Sequence, residues 1–296
     1  MNAEVNVSVV VISKDEPSLG DTLESLAVYT KDQVAEVVVV DASSGRMDFI
    51  REAHPWVRWI DFQQPRGIRV SIPHQRNAGV RGASGDVIVF LDCGCIARDG
   101  WLNRLLTPIR VGEDAISCGV ATKPSDLHSV ASRARDGYMR EAPTINLAFR
   151  REAFDRIGGF DESFEYGSDV DFTWRLIDAG FRIRFVEDAV VEADWGDSRR
   201  QVKRGMMYGR ARVRLYAKHR MRIPRVLADD PVPLVYAVFL LGLPLTVRFR
   251  PYPLLLLVPL WRARRHPRPF QVVAEHLGQG AGAIRELAHI SGRVLR

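Results

Sequence analysis

The chain has 296 residues, 46% of them hydrophobic, enough for a sizeable core in one large domain with an appendage or in two small domains. Three cysteines, Cys93, Cys95 and Cys118, are too few and too closely set for a zinc site of the usual spacing, and they read as reduced thiols of a cytoplasmic protein rather than a disulfide framework. The net charge of +6 is uneven, with basic residues crowded between Arg199 and Arg225 and acids between Asp155 and Asp197, a polarity that suits the phosphates of a nucleotide or an anionic lipid. That basic block lacks the interleaved aromatics of a nucleic-acid module, so nucleic acid is not expected as a partner.

The N-terminus MNAEVNVSVVVIS carries no basic leader before its short, β-branched run, and it reads as a first strand rather than a signal peptide. Three further apolar runs follow: EVVVVDAS, VRWIDF and DVIVFLD. Helical patterns alternate with them, which predicts parallel strands joined by crossover helices. The first helix is predicted behind Pro17 and Ser18 on the spacing of Leu19, Leu23 and Leu26. Another follows Asp99, a predicted cap, on Trp101, Leu102, Leu105, Leu106 and Ile109. The strands end in polar residues, Ser13 to Glu16, Asp41 to Ser44, and Asp92, and open α/β sheets bind ligands at those ends. From about Cys118 the texture becomes irregular, as in loops that wrap a substrate.

In EYGSDVDFTWRL, Ser168 and Asp171 have the spacing of a capping box. A helix is therefore predicted from Ser168, with Val170, Trp174 and Ile177 on its buried side and Asp171 reaching back to the cap. Asp169, in the first turn, is left free to face a cleft. AVVEADW reads as a later strand.

The last third changes character. Two apolar runs, Pro231 to Val247 and Pro251 to Trp261, are each shorter than the roughly 20 residues that span a bilayer, are interrupted by prolines and have basic flanks. A membrane-surface or re-entrant hairpin is the leading expectation, with short spanning helices and a packing surface as the alternatives. EHLGQGAGAIRELAHISGRVL reads as a weak amphipathic tail. The expected organisation is one domain over residues 1–225 and a membrane-associating helical region over 226–296.

VSVVVISKDEP, VVVVDASSG, HQRNAGVRGASGDVIVFLD and GGFDESFEYGSDVDFTWRLIDAGFRI resemble, in order and spacing, the family 2 glycosyltransferases over about residues 5 to 215. The resemblance implies the GT-A fold, a Rossmann-like mixed sheet with flanking helices, here followed by a C-terminal apolar helical appendage. It also implies an inverting enzyme that moves a sugar from a nucleotide diphosphate donor to a hydroxyl, with Mg²⁺ or Mn²⁺. Such chemistry needs one carboxylate to take the acceptor's proton and positive charge to hold the departing diphosphate.

Carried over residue by residue, the resemblance implies Asp169 as general base. Ser13, Asp15, Glu16 and Asp41 would contact the nucleotide, and Arg76 and Asn77 of the R-N-x-G motif would approach the donor. Asp92 would be the metal or ribose contact. A carboxylate accepts the imide N–H of uracil, which favours a uridine or thymidine donor. Gly94 replaces the second acid of the family's D-x-D, leaving cation binding to Asp92, the phosphates and water. Glu192 or Asp194 stands where many relatives place a late metal or phosphate ligand. Arg200 and Arg204 fall in Q-V-K-R-G, a partial echo of a processive-synthase box, and are expected to clamp the diphosphate. The expected partners are a nucleotide-sugar, a lipid-linked or cell-envelope glycan acceptor and the cytoplasmic membrane face. The alternative that Gly94 and Ser168 motivate is a non-catalytic nucleotide-sugar or glycan-binding protein.

Overall fold

The four apolar runs become β1 (Val7–Ser13), β2 (Glu36–Asp41), β3 (Arg58–Asp61) and β4 (Val87–Leu91) of a computed structural model that describes residues 5–30, 33–121, 134–193, 198–266 and 268–294. β1 pairs in parallel with β2 and with β4, and β2 with β3. Strands covered on both faces read as continuous hydrophobic runs, and β2 and β4 are buried almost throughout. The intervening helices are α1 (Leu19–Tyr29), α2 (Asp48–Ala53) and α3 (Ile72–Gly82). Parallel pairing brings the carboxyl ends to one edge, with Ser13 in register with Asp41 and Asp92 following the last residue of β4.

Beyond β4 the sheet becomes mixed through β5 (Cys95–Ile96), β6 (Ile116–Ala121), β7 (Tyr138–Met139), β8 (Asn146–Arg150) and β9 (Ile183–Ala193). The order is β3-β2-β1-β4-β8-β6-β9-β5, with β7 on β9, and β8 runs antiparallel to both β4 and β6. The expected α/β sheet with flanking helices is what the chain forms. Its helices here are α4 (Trp101–Arg110), α5 (Arg151–Ile157) and α6 (Ser168–Asp178). The register slips between Cys118 and Val120. At that slip, a Cβ on Gly119 would lie 2.1 Å from the Ala189 carbonyl and 2.4 Å from the Asn146 amide, so only glycine lets the backbones approach.

An aromatic cluster fills the core below the strand ends. Phe160 stacks on Phe172 at 4.0 Å between centroids, and Phe90 meets Phe149 at 5.5 Å and Phe160 at 5.7 Å. Phe172, Trp174 and Leu176 are the buried apolar residues of α6, so of the predicted inner stripe Trp174 is right, while Val170 and Ile177 are only partly buried.

Two predicted caps are corrected. α6 does begin at Ser168, but Gly167 in the left-handed region precedes it and no side chain caps it. Asp171 is fully buried and accepts from Arg175 Nε at 2.8 Å, and Arg175 also donates to the carbonyls of Ile157 and Gly159. A buried carboxylate is stabilised far more by a guanidinium than by an exposed hydroxyl turn. α4 likewise follows a left-handed Gly100 rather than an Asp99 cap. α1 begins directly after Ser18, as predicted, and the Ser18 hydroxyl donates to Glu16.

The chain divides at 194/195 rather than 225/226 into units of residues 1–194 and 195–296. The boundary is earlier because α7 (Ser198–Lys218), assigned to the first domain from sequence, packs along α11 (Pro269–Val294). Between them lie α8 (Ile223–Asp229), α9 (Val232–Leu241) and α10 (Leu257–Arg262). The segment read as a weak tail is thus a 26-residue helix at the centre of the second unit. Glycines four apart share a helix face. Gly205 and Gly209 of α7 press on the backbone of Glu275 and Gln279 of α11, and Gly278 and Gly282 on that of Val202 and Met206, so closely that a Cβ on Gly209 would sit 1.9 Å from the Gln279 carbonyl. Gly209→Val is therefore expected to destabilise this unit by about 2 kcal/mol or more, through overpacking against backbone that cannot move aside. A lowered thermal midpoint by circular dichroism checks it. Glu286 is buried nearby and accepts from Arg210 at 2.9 Å and Arg214 at 2.6 Å. Burial opposes its charge, but the two guanidinium groups outweigh burial and hold its pKa low. Among the described residues no helix is long and apolar enough to cross a membrane.

Candidate functional site

The ends of β1 and β2 form one side of the site. Asp41 is buried, and its Oδ1 accepts from the Ser43 hydroxyl at 2.6 Å and the Ser43 amide at 3.2 Å. Ser43 Oγ in turn accepts the Asp15 amide at 2.7 Å, so a carboxylate-capped turn ties the two loops together. Among the described residues, Asp41 Oδ2 carries no hydrogen bond. Asp15 lies in the left-handed region at φ 55° and binds Arg46 through both oxygens, Nε at 2.6 Å and Nη2 at 3.0 Å. The Arg46 guanidinium holds the Asp15 pKa below its ordinary value. Glu16 accepts from Ser18 at 3.1 Å, and Ser13 is buried at the end of β1.

Asp92 follows β4, its side chain 38% exposed, and accepts from Arg76 Nη2 at 3.1 Å. Two residues on, Gly94 adopts φ +85° with its amide on Thr22 Oγ1 at 2.9 Å. A Cβ there would meet Ser18 Oγ at 3.0 Å, so the turn itself disfavours a second acid. The neighbouring thiols do not replace it. Burial pushes Cys93 up to about 12 and raises Cys95 further, which keeps both protonated. Neutral sulfur is a poor ligand for hard cations. Asp92 is the hard-oxygen donor at this strand end, and no cluster of three or more potential ligands occurs among the described residues.

Arg76 is buried, lies 5.8 Å from the Phe90 ring centroid and 5.7 Å from that of Phe160, and projects its guanidinium at Asp92. Asn77 donates to the Phe160 carbonyl and to Glu162, both at 2.9 Å, and accepts the Phe160 amide at 2.8 Å. Both amide hydrogens of Asn77 are thus committed to this turn, which corrects the expectation that Asn77 approaches a donor. The turn places Phe160 under Arg76. Asp169 sits in the first turn of α6, accepting the Val170 amide at 2.9 Å. Burial raises its pKa, Arg76 opposes that rise, and the nearby carboxylates of Asp92 and Glu141 add to it. The structure therefore brings Asp169, Arg76 and Asp92 into one electrostatic group, with Asp41 two strands away along the same sheet edge.

Glu192 lies on β9 opposite Ile96, where Arg98 holds it at 2.5 Å. Glu192, expected as a metal contact, is held in an ion pair here. Asp194 lies outside the described residues, as does the side chain of Arg200. Arg204 is partly buried on α7 in the second unit. The following position, where processive synthases carry tryptophan, is Gly205, and a Cβ there would be 2.5 Å from the Glu275 carbonyl. Reasoning from sequence missed Arg46, Glu141 and Phe160. Arg46 had a signal, as the first cation after the Ser-Ser-Gly turn, whereas the other two depend on chain folding across the site.

A family model described as Glycosyl transferase family 2 matches residues 8–163, and one described as Glycosyl transferase family group 2 matches 125–263. The Pre-mycofactocin glycosyltransferase of Mycobacterium tuberculosis is 31% identical over 49% of this chain and 34% of its own length. The Succinoglycan biosynthesis protein ExoM of Rhizobium meliloti is 28% identical over 71% of this chain and 76% of its own. This chain spans about a third of the former relative's length. Among solved structures, the mannosyltransferase PcManGT from Pyrobaculum calidifontis, in complex with GDP-Man and Mn2+, superposes with a TM-score of 0.73 at 21% identity, covering 96% of this chain and 87% of that one. At that identity the likeness establishes the GT-A fold.

Proposed function

Because this chain belongs to glycosyl transferase family 2, we propose that it transfers a sugar from a nucleoside diphosphate donor to a hydroxyl, inverting the anomeric centre. The observation that carries this reading is the Asp169 carboxyl, raised in pKa by burial yet held beside the Arg76 cation. A base must be ionised to accept a proton but basic enough to want one, and an elevated carboxylate answers both demands. Asp169 takes the acceptor hydroxyl's proton as its oxygen attacks the anomeric carbon and the diphosphate departs. Asp92 is engaged by Arg76, and Asp169 acting as the single base suits one displacement with inversion.

A divalent cation, Mg²⁺ or Mn²⁺, fits Asp92 together with diphosphate oxygens, and when bound it supplies positive charge to the leaving group. Arg76 holds Asp92 in place for it. Asp41 Oδ2 accepts the imide of a uridine or thymidine base, and Arg46 fixes the flanking Asp15 loop. The acceptor is a lipid-linked or cell-envelope glycan, a reading supported by relatives named for succinoglycan and O-antigen biosynthesis.

The test is a screen of UDP-, dTDP- and GDP-sugars for hydrolysis, alongside UDP titration with and without Mn²⁺. Turnover of a UDP- or dTDP-sugar is expected, and Asp92→Asn should weaken the Mn²⁺-dependent part of UDP binding by about tenfold or more. The left-handed Gly94 favours one other reading, a nucleotide-sugar-binding protein without turnover. UDP affinity indifferent to Mn²⁺, with no donor hydrolysed, would establish that reading and defeat this one.

A further inference from the structure

We infer that the second unit docks on an anionic lipid surface through the hairpin formed by α9, the turns after it and α10. α9 turns Pro233, Tyr236 and Ala237 inward, with Tyr236 edge-on to His276 of α11 at 5.2 Å and Ala237 packed in a small cluster with Val213 and Ala283. Its outer face is apolar as well: Leu234, Val235, Val238 and Leu241 are exposed by 48–63%. A helix apolar on every side is found where something other than water covers it.

The chain then folds back on itself. Tyr252 stacks on Phe239 at 5.3 Å and donates its hydroxyl to the Phe239 carbonyl at 3.0 Å, so the two arms are pinned together. At the tip, Val247 is 90% and Phe249 55% exposed, and on the returning arm Leu254, Leu257, Val258 and Trp261 are each more than half exposed. Scattered apolar residues on a surface need no explanation, but a continuous run along both arms of a pinned hairpin marks an interaction face.

Charge selects the occupant. Residues 231–270 contain no aspartate or glutamate but six arginines, Arg248, Arg250, Arg262, Arg264, Arg265 and Arg268, all exposed. Arg264 lies 4.0 Å from the Trp261 ring centroid, placing an aromatic and a cation together as at a headgroup boundary. A second copy of this chain would bring twelve arginines (two sets of six) to one interface, where like charges repel. An anionic bilayer meets both demands, since acyl chains accept the apolar side chains and headgroups accept the guanidinium groups. The arms are too short to span, so the hairpin lies in the interface rather than crossing it. The inference is independent of transfer chemistry, because binding is read without a donor.

Flotation of the full chain with vesicles of phosphatidylglycerol and phosphatidylcholine tests it, against phosphatidylcholine alone. The protein is expected to float with the anionic vesicles, to lose most binding in high salt, and to bind neutral vesicles at least about tenfold more weakly. Val247→Glu with Phe249→Glu, two exposed positions, should reduce flotation about tenfold or more with an unchanged thermal midpoint. Protein that stays at the bottom of the gradient, equal binding to both vesicle types, an acidic variant that floats like the parent, or a concentration-dependent dimer without flotation would each overturn the inference.

Discussion

Asp169→Asn is expected to lower transfer by about a thousandfold while raising the thermal midpoint at pH values above the folded pKa of Asp169. The two effects share a cause. Burial raises the folded pKa of Asp169 above its ordinary value, so the stability linked to this group is fully present below the ordinary carboxylate range and is lost as pH rises through the raised value. Above that raised value the ionised carboxylate is a burden on the fold. Asparagine removes that burden and with it the proton acceptor. The parent's activity should accordingly rise with pH through a limb above the ordinary carboxylate range. Single-turnover rates and calorimetry on the same preparation check both halves, and unchanged turnover would remove Asp169 from the base role.

The second large effect is expected at Arg76. Its side chain is 7% exposed, pairs with Asp92 and is the largest influence holding the Asp169 pKa down against burial. Arg76→Met keeps the volume between Phe90 and Phe160 but removes the charge. Asp169 then feels Asp92 and Glu141 without the Arg76 charge, and the limb of the pH profile moves further up. Turnover should fall most on the acid side of the profile, where less of the base is ionised than in the parent. Arg76→Lys should restore part of the loss, since it returns a cation without the planar fork. A pH–rate profile superposable on the parent's would show that Arg76 serves packing alone.

These effects were partly legible in the sequence because strand ends advertise themselves. Four β-branched runs alternating with helical patterns pointed to the parallel half of the sheet, and their polar ends to the edge that holds Asp41 and Asp92, though not to the strand order. The resemblance to family 2 pointed to Asp169 as the base, the role that Asp169→Asn tests. What escaped was chemistry set by contacts distant in sequence. The Ser168 and Asp171 spacing promised a capping box, but Arg175 and the carbonyls of Ile157 and Gly159 drew Asp171 inward. Asn77 matched a donor-binding motif, yet its partners lie at Phe160 and Glu162. Glu192 was read as a ligand, whereas Arg98 comes to it only once β5 pairs with β9. The domain boundary was misplaced for a similar reason. A basic, amphipathic α7 looks like a surface helix; each segment carries glycines four apart, but the backbone they press against, Glu275 and Gln279 from one side and Val202 and Met206 from the other, is set only by folding.

The central claim is tested most directly by an experimental structure of the full chain with UDP and Mn²⁺. The account predicts the uracil beside Asp41, the diphosphate and cation at Asp92, and an open space for sugar and acceptor between the phosphates and Asp169. Nucleotide bound elsewhere, or a cation that leaves Asp92 untouched with Asp169 facing no cavity, would contradict it.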